Sequence, residues 1–277
     1  MAAEDQIAAV AGELLVHSPG AALSVATAYA YSQLVHPTVK VTGQTMATAW
    51  ETRLSRWLKI TKDAGEMTPE GMIDKPVSER VLARSTGEST LFDDSVQQRY
   101  ASGIIASSRT GESGDDRGVA FLAILEAMPA SHVRLHYAFY TSMRDAILVD
   151  KIDTASTALQ QSAWSLPFDA IKNLFDDANH PAWAATEAIE VLKAQGLISH
   201  WPNDEDMLRF GYTNLGLSLY GWAHGAAQIG LDLSDAEFPA HTVEGPRFES
   251  SASLFRPAQY FPDLDFTLGG ATSAEKD

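Results

Sequence analysis

Residues 91–140, LFDDSVQQRYASGIIASSRTGESGDDRGVAFLAILEAMPASHVRLHYAFY, decide how the chain is read. Within them Gly118–Met128 carries a single charged residue, Glu126. A segment of that length without a polar side predicts a helix buried on every face, around which the rest would pack. Upstream, Asp93 or Asp94 is placed to cap a helix running to about Ser108, with Val96, Tyr100 and Ile104 on one face. Gly103 inside that pattern costs about 1 kcal/mol relative to Ala. Such a glycine is expected where a second backbone comes close. Downstream, Pro129 stops the central helix and Ser131 caps the next. His132–Leu148 then continues as a long helix, expected to return antiparallel.

Outward from this core, residues 76–150, the chain divides by composition. On the N-terminal side Asp63–Pro76 (DAGEMTPEGMIDKP) reads as a connector, rich in Gly, Pro and acid. Before it, Thr45–Lys62 places Trp50, Leu54, Trp57 and Leu58 on one helical face, with Arg53, Arg56, Lys59 and Lys62 nearby. Residues 3–16 and a helix opened by Ser18-Pro19 complete an N-terminal helical unit, 1–62. The apolar run Pro19–Val35 is interrupted by Ser24, Thr27, Tyr29, Tyr31, Ser32 and Gln33, and falls short of the ~20 residues that span a bilayer. No transmembrane segment is expected. Glu4 and Asp5 stand where a signal peptide would be basic.

On the C-terminal side, residues 151–225 predict a helix over Leu166–Ala178 and another from Asn179 and Pro181 to Gly196. The second has Ala185, Ala188, Ile189 and Leu192 at helical spacing. Leu197–Trp201 and Met207–Tyr212 read as two strands about the turn at 202–206, and Thr213 opens a last helix. This order is winged-helix-like. Residues 226–277 carry no convincing period, yet Phe238, Phe248, Phe255, Tyr260, Phe261 and Phe266 argue against a solvated tail. They predict an extended C-terminal strap. The expected fold is therefore mainly α: a multi-helix domain around a buried central helix, then a winged-helix-like module and the strap. Its strand content is chiefly one short hairpin, with no sheet of four or more strands.

The formal charge of −16 is concentrated toward the C-terminus, where 226–277 holds 9 acidic against 3 basic residues. Such acidity repels phosphate backbones, so nucleic acid is not an expected partner. The helix and turn that would read DNA carry Glu187 and Glu190 against Lys193, and Asp204, Glu205 and Asp206. A protein partner fits better, and self-association stays open. The absence of cysteine excludes disulfides, thiolate metal sites and a Cys nucleophile, and agrees with a cytoplasmic location. No nucleophile elbow, phosphate loop or dinucleotide fingerprint is present, and no cofactor is expected. His132 and His136 lie one turn apart, but Val133 stands where a zinc protease needs Glu and no third ligand is near. No metal is expected either.

The densest polar group is Ser107, Ser108, Arg109, Asp115, Asp116 and Arg117. As a site, Arg109 and Arg117 would hold an anion at a helix N-terminus with Ser108 donating. As a structural network, Asp116 would cap the central helix and Asp115 would pair with an arginine. One helix further on come Arg134, His136, Tyr137 and Tyr140. Helix geometry at 1.5 Å per residue separates these from the first group. Two clusters are expected, Arg109 with Asp115 or Asp116, and Arg134 with His136 and a partner from elsewhere.

The stretch Phe92–Tyr140 resembles a family of uncharacterised bacterial proteins. Its pattern joins paired acids (Asp93, Asp94) to G-x-x-A-S-S-R-[ST] (Gly103, Ala106, Ser107, Ser108, Arg109, Thr110), D-D-R-[GA] (Asp115, Asp116, Arg117, Gly118) and R-x-H-Y-x-x-Y (Arg134, His136, Tyr137, Tyr140). More loosely, a helical core followed by a GLI-hairpin-YTxxG module is similar to the abortive-infection alpha proteins, which implies phage defence without a defined chemistry. Two functions follow as expectations. One is a non-enzymatic interaction or sensor protein. The other is an enzyme with an Arg/Asp/His anion pocket, and an open pocket lined by these side chains would favour it over a closed mesh.

Overall fold

The computed structural model describes residues 43–87, 91–109, 116–150, 163–167, 171, 183–200, 207–226 and 253–255. Residues 1–42, the loop 110–115 with Asp115, the turn 202–206 and most of the expected strap lie outside the described residues. Seven α-helices are described: α1 Gly43–Met67, α2 Glu79–Ser85, α3 Ser95–Ser107, α4 Arg117–Glu126, α5 Ala130–Asp150, α6 Trp183–Ala194 and α7 Asn214–Ala223. The strands are β1 Ala163–Pro167, β2 Ile198–His200, β3 Met207–Tyr212 and β4 Ser253–Phe255. The fold is mainly helical.

Its centre is not the helix that hydrophobicity picks out. Every residue from Val96 to Ser107 on α3 is buried, and α3 packs against α1, α2, α4, α5 and α7. On α4 only Gly118, Phe121, Leu122 and Leu125 are buried, while Ala120 and Ala127 are exposed. The expected buried helix at Gly118–Met128 is thus an outer helix packed through one face. α3 escapes notice because its polar side chains find partners inside the protein. Gln97 donates to the Met128 carbonyl (3.0 Å) and Gln98 to that of Phe92 (2.9 Å). Gln98 also accepts from Lys59 Nζ (2.9 Å), and Ser102 closes on the Gln98 carbonyl (2.8 Å).

Close approach at Gly103 completes this packing. A Cβ there would run into the carbonyl of Ala223 on α7, so α3 and α7 cross with their backbones in contact. The second backbone expected at this glycine is that of α7.

α1 is longer than its sequence pattern suggests, extending through the first residues of the predicted connector to Met67. Trp57, Ile60, Ala64 and Met67 form its buried face, so the Asp63–Gly65 stretch stays helical because its neighbours pack. α5 starts at Ala130, which places Ser131 inside the first turn instead of at the cap. Pro129 supplies the carbonyl that accepts from His132 N (3.0 Å) and Val133 N (3.2 Å). α5 turns from α4 through 120° instead of returning strictly antiparallel.

The hairpin β2–β3 forms with Ile198 opposite Tyr212. β1 pairs antiparallel with β3, Trp164 opposite Phe210, and three residues of β4 add to the outer edge of β1. The sheet order is β2-β3-β1-β4. This overturns the expectation of a lone hairpin and of fewer than four strands. It also replaces the start of the predicted Leu166–Ala178 helix, since Leu166 and Pro167 belong to β1. Ala163, Trp164 and Ser165 are all buried, and a strand covered on both faces lacks the period-2 alternation that would reveal it. Gly196 ends α6 at φ +69°, in the left-handed conformation that terminates helices.

Candidate functional site

Asp94 anchors the start of α3. Its Oδ1 accepts from Val96 N (2.9 Å) and Gln97 N (3.1 Å). Its Oδ2 accepts from Arg134 Nε (2.7 Å) and forms an ion pair with Arg134 NH2 (2.6 Å). One buried carboxylate is therefore both helix cap and partner of a motif arginine, which fixes α5 against α3. Asp93 instead points outward to Arg56 (2.5 Å).

The described members of the Ser/Arg/Asp group turn to different partners. Ser107 Oγ donates to the Trp222 carbonyl (2.9 Å) and Ser108 Oγ to that of Ile104 (2.7 Å), so Ser108 is not turned toward an anion. Arg109 does not pair with Asp116; its Nη1 donates to the carbonyls of Ile73 (3.2 Å) and Lys75 (2.9 Å). Burial holds the Arg109 guanidinium below its ordinary pKa. Asp116 sits at the N-cap of α4 but makes no capping bond. Its backbone, φ −96° and ψ 12°, departs from the extended conformation that directs a cap side chain to the first N–H groups. The carboxylate turns to α2, accepting from Ser78 Oγ (3.1 Å) and pairing with Arg80 (2.5 Å). Arg117 lies over the Trp222 ring, 5.2 Å from its centroid. Gly118 is pressed against Ser108 and Val81, which explains why the two motif segments must meet. Asp115 lies outside the described residues.

The tightest polar assembly lies where α3, α5 and α7 meet. His136 is completely buried and its Nδ1 shares a hydrogen bond with Tyr100 OH (2.8 Å). Its ring packs on Tyr140 at 4.6 Å between centroids, and Nε2 makes no hydrogen bond of good geometry. Tyr140 OH donates to the Leu197 carbonyl (2.7 Å) and accepts from Thr213 N (3.2 Å). The last tyrosine of the R-x-H-Y-x-x-Y stretch thereby ties α5 to both ends of the hairpin. Thr213 caps α7 by accepting from Gly216 N (3.0 Å). On the far side of α7, His224 Nδ1 bonds the Tyr220 carbonyl (2.8 Å) and its ring stacks on Tyr137 at 6.0 Å. Tyr220 OH shares a hydrogen bond with Thr141 (3.1 Å).

Desolvation governs the ionisation here. Burial lowers His136 and His224 to about 3, so both are neutral at ordinary pH. It raises Tyr220 to about 12, raises Tyr100 and Tyr140 as well, and lowers Arg99. Arg99, Thr141, Tyr220, Trp222 and His224 all belong to this assembly and were not singled out from the sequence. The signal for three of them was available: the aromatic-rich turn from Tyr220 to His224 on a capped helix.

Among the described residues of the resemblance pattern, Asp94 pairs with Arg134 and His136 packs on Tyr140, while Ser107, Ser108 and Arg109 bond backbone carbonyls. A groove of about 550 Å³ lies elsewhere, between α1 and α3, lined by Glu51, Thr52, Ser55, Arg56, Lys59 and Gln98. No single described helix is long and apolar enough to cross a membrane. Comparison with protein families, curated proteins and solved structures finds no match to this chain.

Proposed function

We propose that the chain is a non-enzymatic interaction or sensor protein of the bacterial cytoplasm, acting in phage defence of the abortive-infection kind. The observation that supports this reading is the mesh formed by its described motif residues. Arg109, Asp116, Arg134 and His136 each bond a different neighbour, so these four give no common anion pocket. The module from β1 to α7 is read as winged-helix-like. The order β2-β3-β1, with α6 before the hairpin, supports this. On α6 the exposed residues include Thr186, Glu187, Glu190 and Lys193 opposite buried Ala185, Ala188, Ile189 and Leu192. An acidic face in that position favours a protein partner over DNA, whose phosphates it would repel.

Phage challenge of cells expressing the chain tests the proposal. Wild type is expected to reduce plaque formation, and Glu187→Lys with Glu190→Lys is expected to lose protection at an unchanged melting temperature. If Arg109→Ala and Asp116→Ala retain wild-type melting but abolish protection, the polar group is itself the site and the proposal fails.

A further inference from the structure

We propose that α7 is an acid-released latch: proton uptake by His136 and His224 frees it from the groove between α3 and α5. The geometry is specific to this helix. His224 is the C-cap residue of α7, against Tyr137 of α5 and Tyr220 (4.2 Å between centroids). His136 stands on α5, bonded to Tyr100 of α3, with the backbone of Gly216 in the first turn of α7 on its other side. Both rings are thus shared between α7 and the two helices that hold it. Burial opposes a positive charge on either ring and outweighs the one backbone hydrogen bond that favours it, to Gly216 for His136 and to Tyr220 for His224. The charges acting on His224 are Arg99 from α3 and Arg144 from α5, and both oppose protonation, while His224 in turn opposes that of His136. The acidic groups lie one step further out: Asp63 of α1 acts on Arg99, and Asp145 of α5 acts on Tyr220.

The direction follows from linkage. Closed, both histidines stay neutral down to about pH 3; released into water, each returns toward its ordinary value of about 6.5. The open form therefore binds up to two more protons between those limits. The latch holds fully above pH ~6.5 and weakens as pH falls toward 3. With two protons taken up, the closed-to-open ratio drops by close to a hundredfold per pH unit once pH is below ~5.5. Release would uncover Trp222, Leu217 and the Gly103 face of α3, an apolar surface now buried.

Backbone hydrogen exchange of the whole chain from about pH 7 to pH 4.5, corrected for chemical exchange, reads this directly. Protection over 214–225 is expected to fall steeply with acid while that over 95–107 persists. In His224→Gln, which keeps a donor for the Tyr220 carbonyl, the fall should shrink to about tenfold per unit. His136→Phe provides the second single-proton case. If His136→Phe does not fold, His224→Gln and wild type suffice. A pH-independent α7, an unchanged slope in His224→Gln, or α3 and α7 losing protection together would each overturn the latch.

Discussion

Two helices of similar length teach opposite lessons. α4, Arg117–Glu126, is almost wholly apolar, yet it buries one face and leaves Ala120 and Ala127 exposed. α3, Ser95–Ser107, carries Gln97, Gln98, Arg99, Ser102 and Ser107 and is buried from Val96 onward. Hydrophobicity measures what a helix tolerates losing from water, and burial depends also on whether polar groups find partners. On α3 they do, mostly backbone carbonyls and side chains from other helices. On α4 the exposed residues are Arg117 and Ala120, and exposure of a charged or an alanine side chain costs little.

The sharpest way to break this comparison is to change one methyl group on each helix. Gly103→Ala places a Cβ against the Ala223 backbone, which cannot swing aside as a side chain would. Overpacking of this kind is expected to cost about 3 kcal/mol or more. Ala120→Gly on α4 also changes one methyl group, at an exposed site, and should cost about 1 kcal/mol from helix propensity alone. Denaturant unfolding of the two variants measures the difference. Equal losses would mean that α3 is not the centre of the fold.

Next in size is Asp94→Ala. It removes a cap, about 1 kcal/mol, and strands Arg134, whose side chain is 35% exposed and so partly relieved by water. The expected loss is about 2–3 kcal/mol in denaturant unfolding, below the value for a fully buried pair. Asp93→Ala, one residue earlier, should cost less than about 0.5 kcal/mol because Asp93 is 77% exposed. A reversal of this order would remove Asp94 from its place as the anchor of α3.

The sequence makes some of this legible and hides the rest for identifiable reasons. α3, β3 and the Thr213 start of α7 are visible because cap and period are local. β1 is not, since Trp164 finds its partners in Phe210 and Leu254, dozens of residues away, and alternation is lost when both faces are covered. The aspartate next to Arg117 looks like a cap for α4, but which acid a neighbouring arginine reaches depends on α2, whose position nothing local fixes. Arg99 is hidden most deeply. An arginine in a helical pattern reads as surface, yet Arg99 is buried, and that burial lowers its pKa.

A similarly small effect is expected at the most conspicuous residue, Asp116. As a cap for α4 its loss would cost about 1 kcal/mol, and as the satisfier of a buried arginine considerably more. It does neither. Its carboxylate meets Ser78 and the guanidinium of Arg80, and the Arg80 side chain is 70% exposed. An arginine so placed returns to water when its partner is removed, so the pair contributes only about 0–1 kcal/mol. Asp116→Ala should therefore lower stability by about 0.5 kcal/mol, and Arg80→Ala by a similar amount. The double variant should cost little more than either single one if the two losses are the same interaction. Added salt supplies an independent check, because an exposed pair is screened. The difference between Asp116→Ala and wild type should shrink as ionic strength rises. A loss above about 2 kcal/mol that persists in high salt would place Asp116 in a buried network, and α4 would then share the character assigned here to α3 alone.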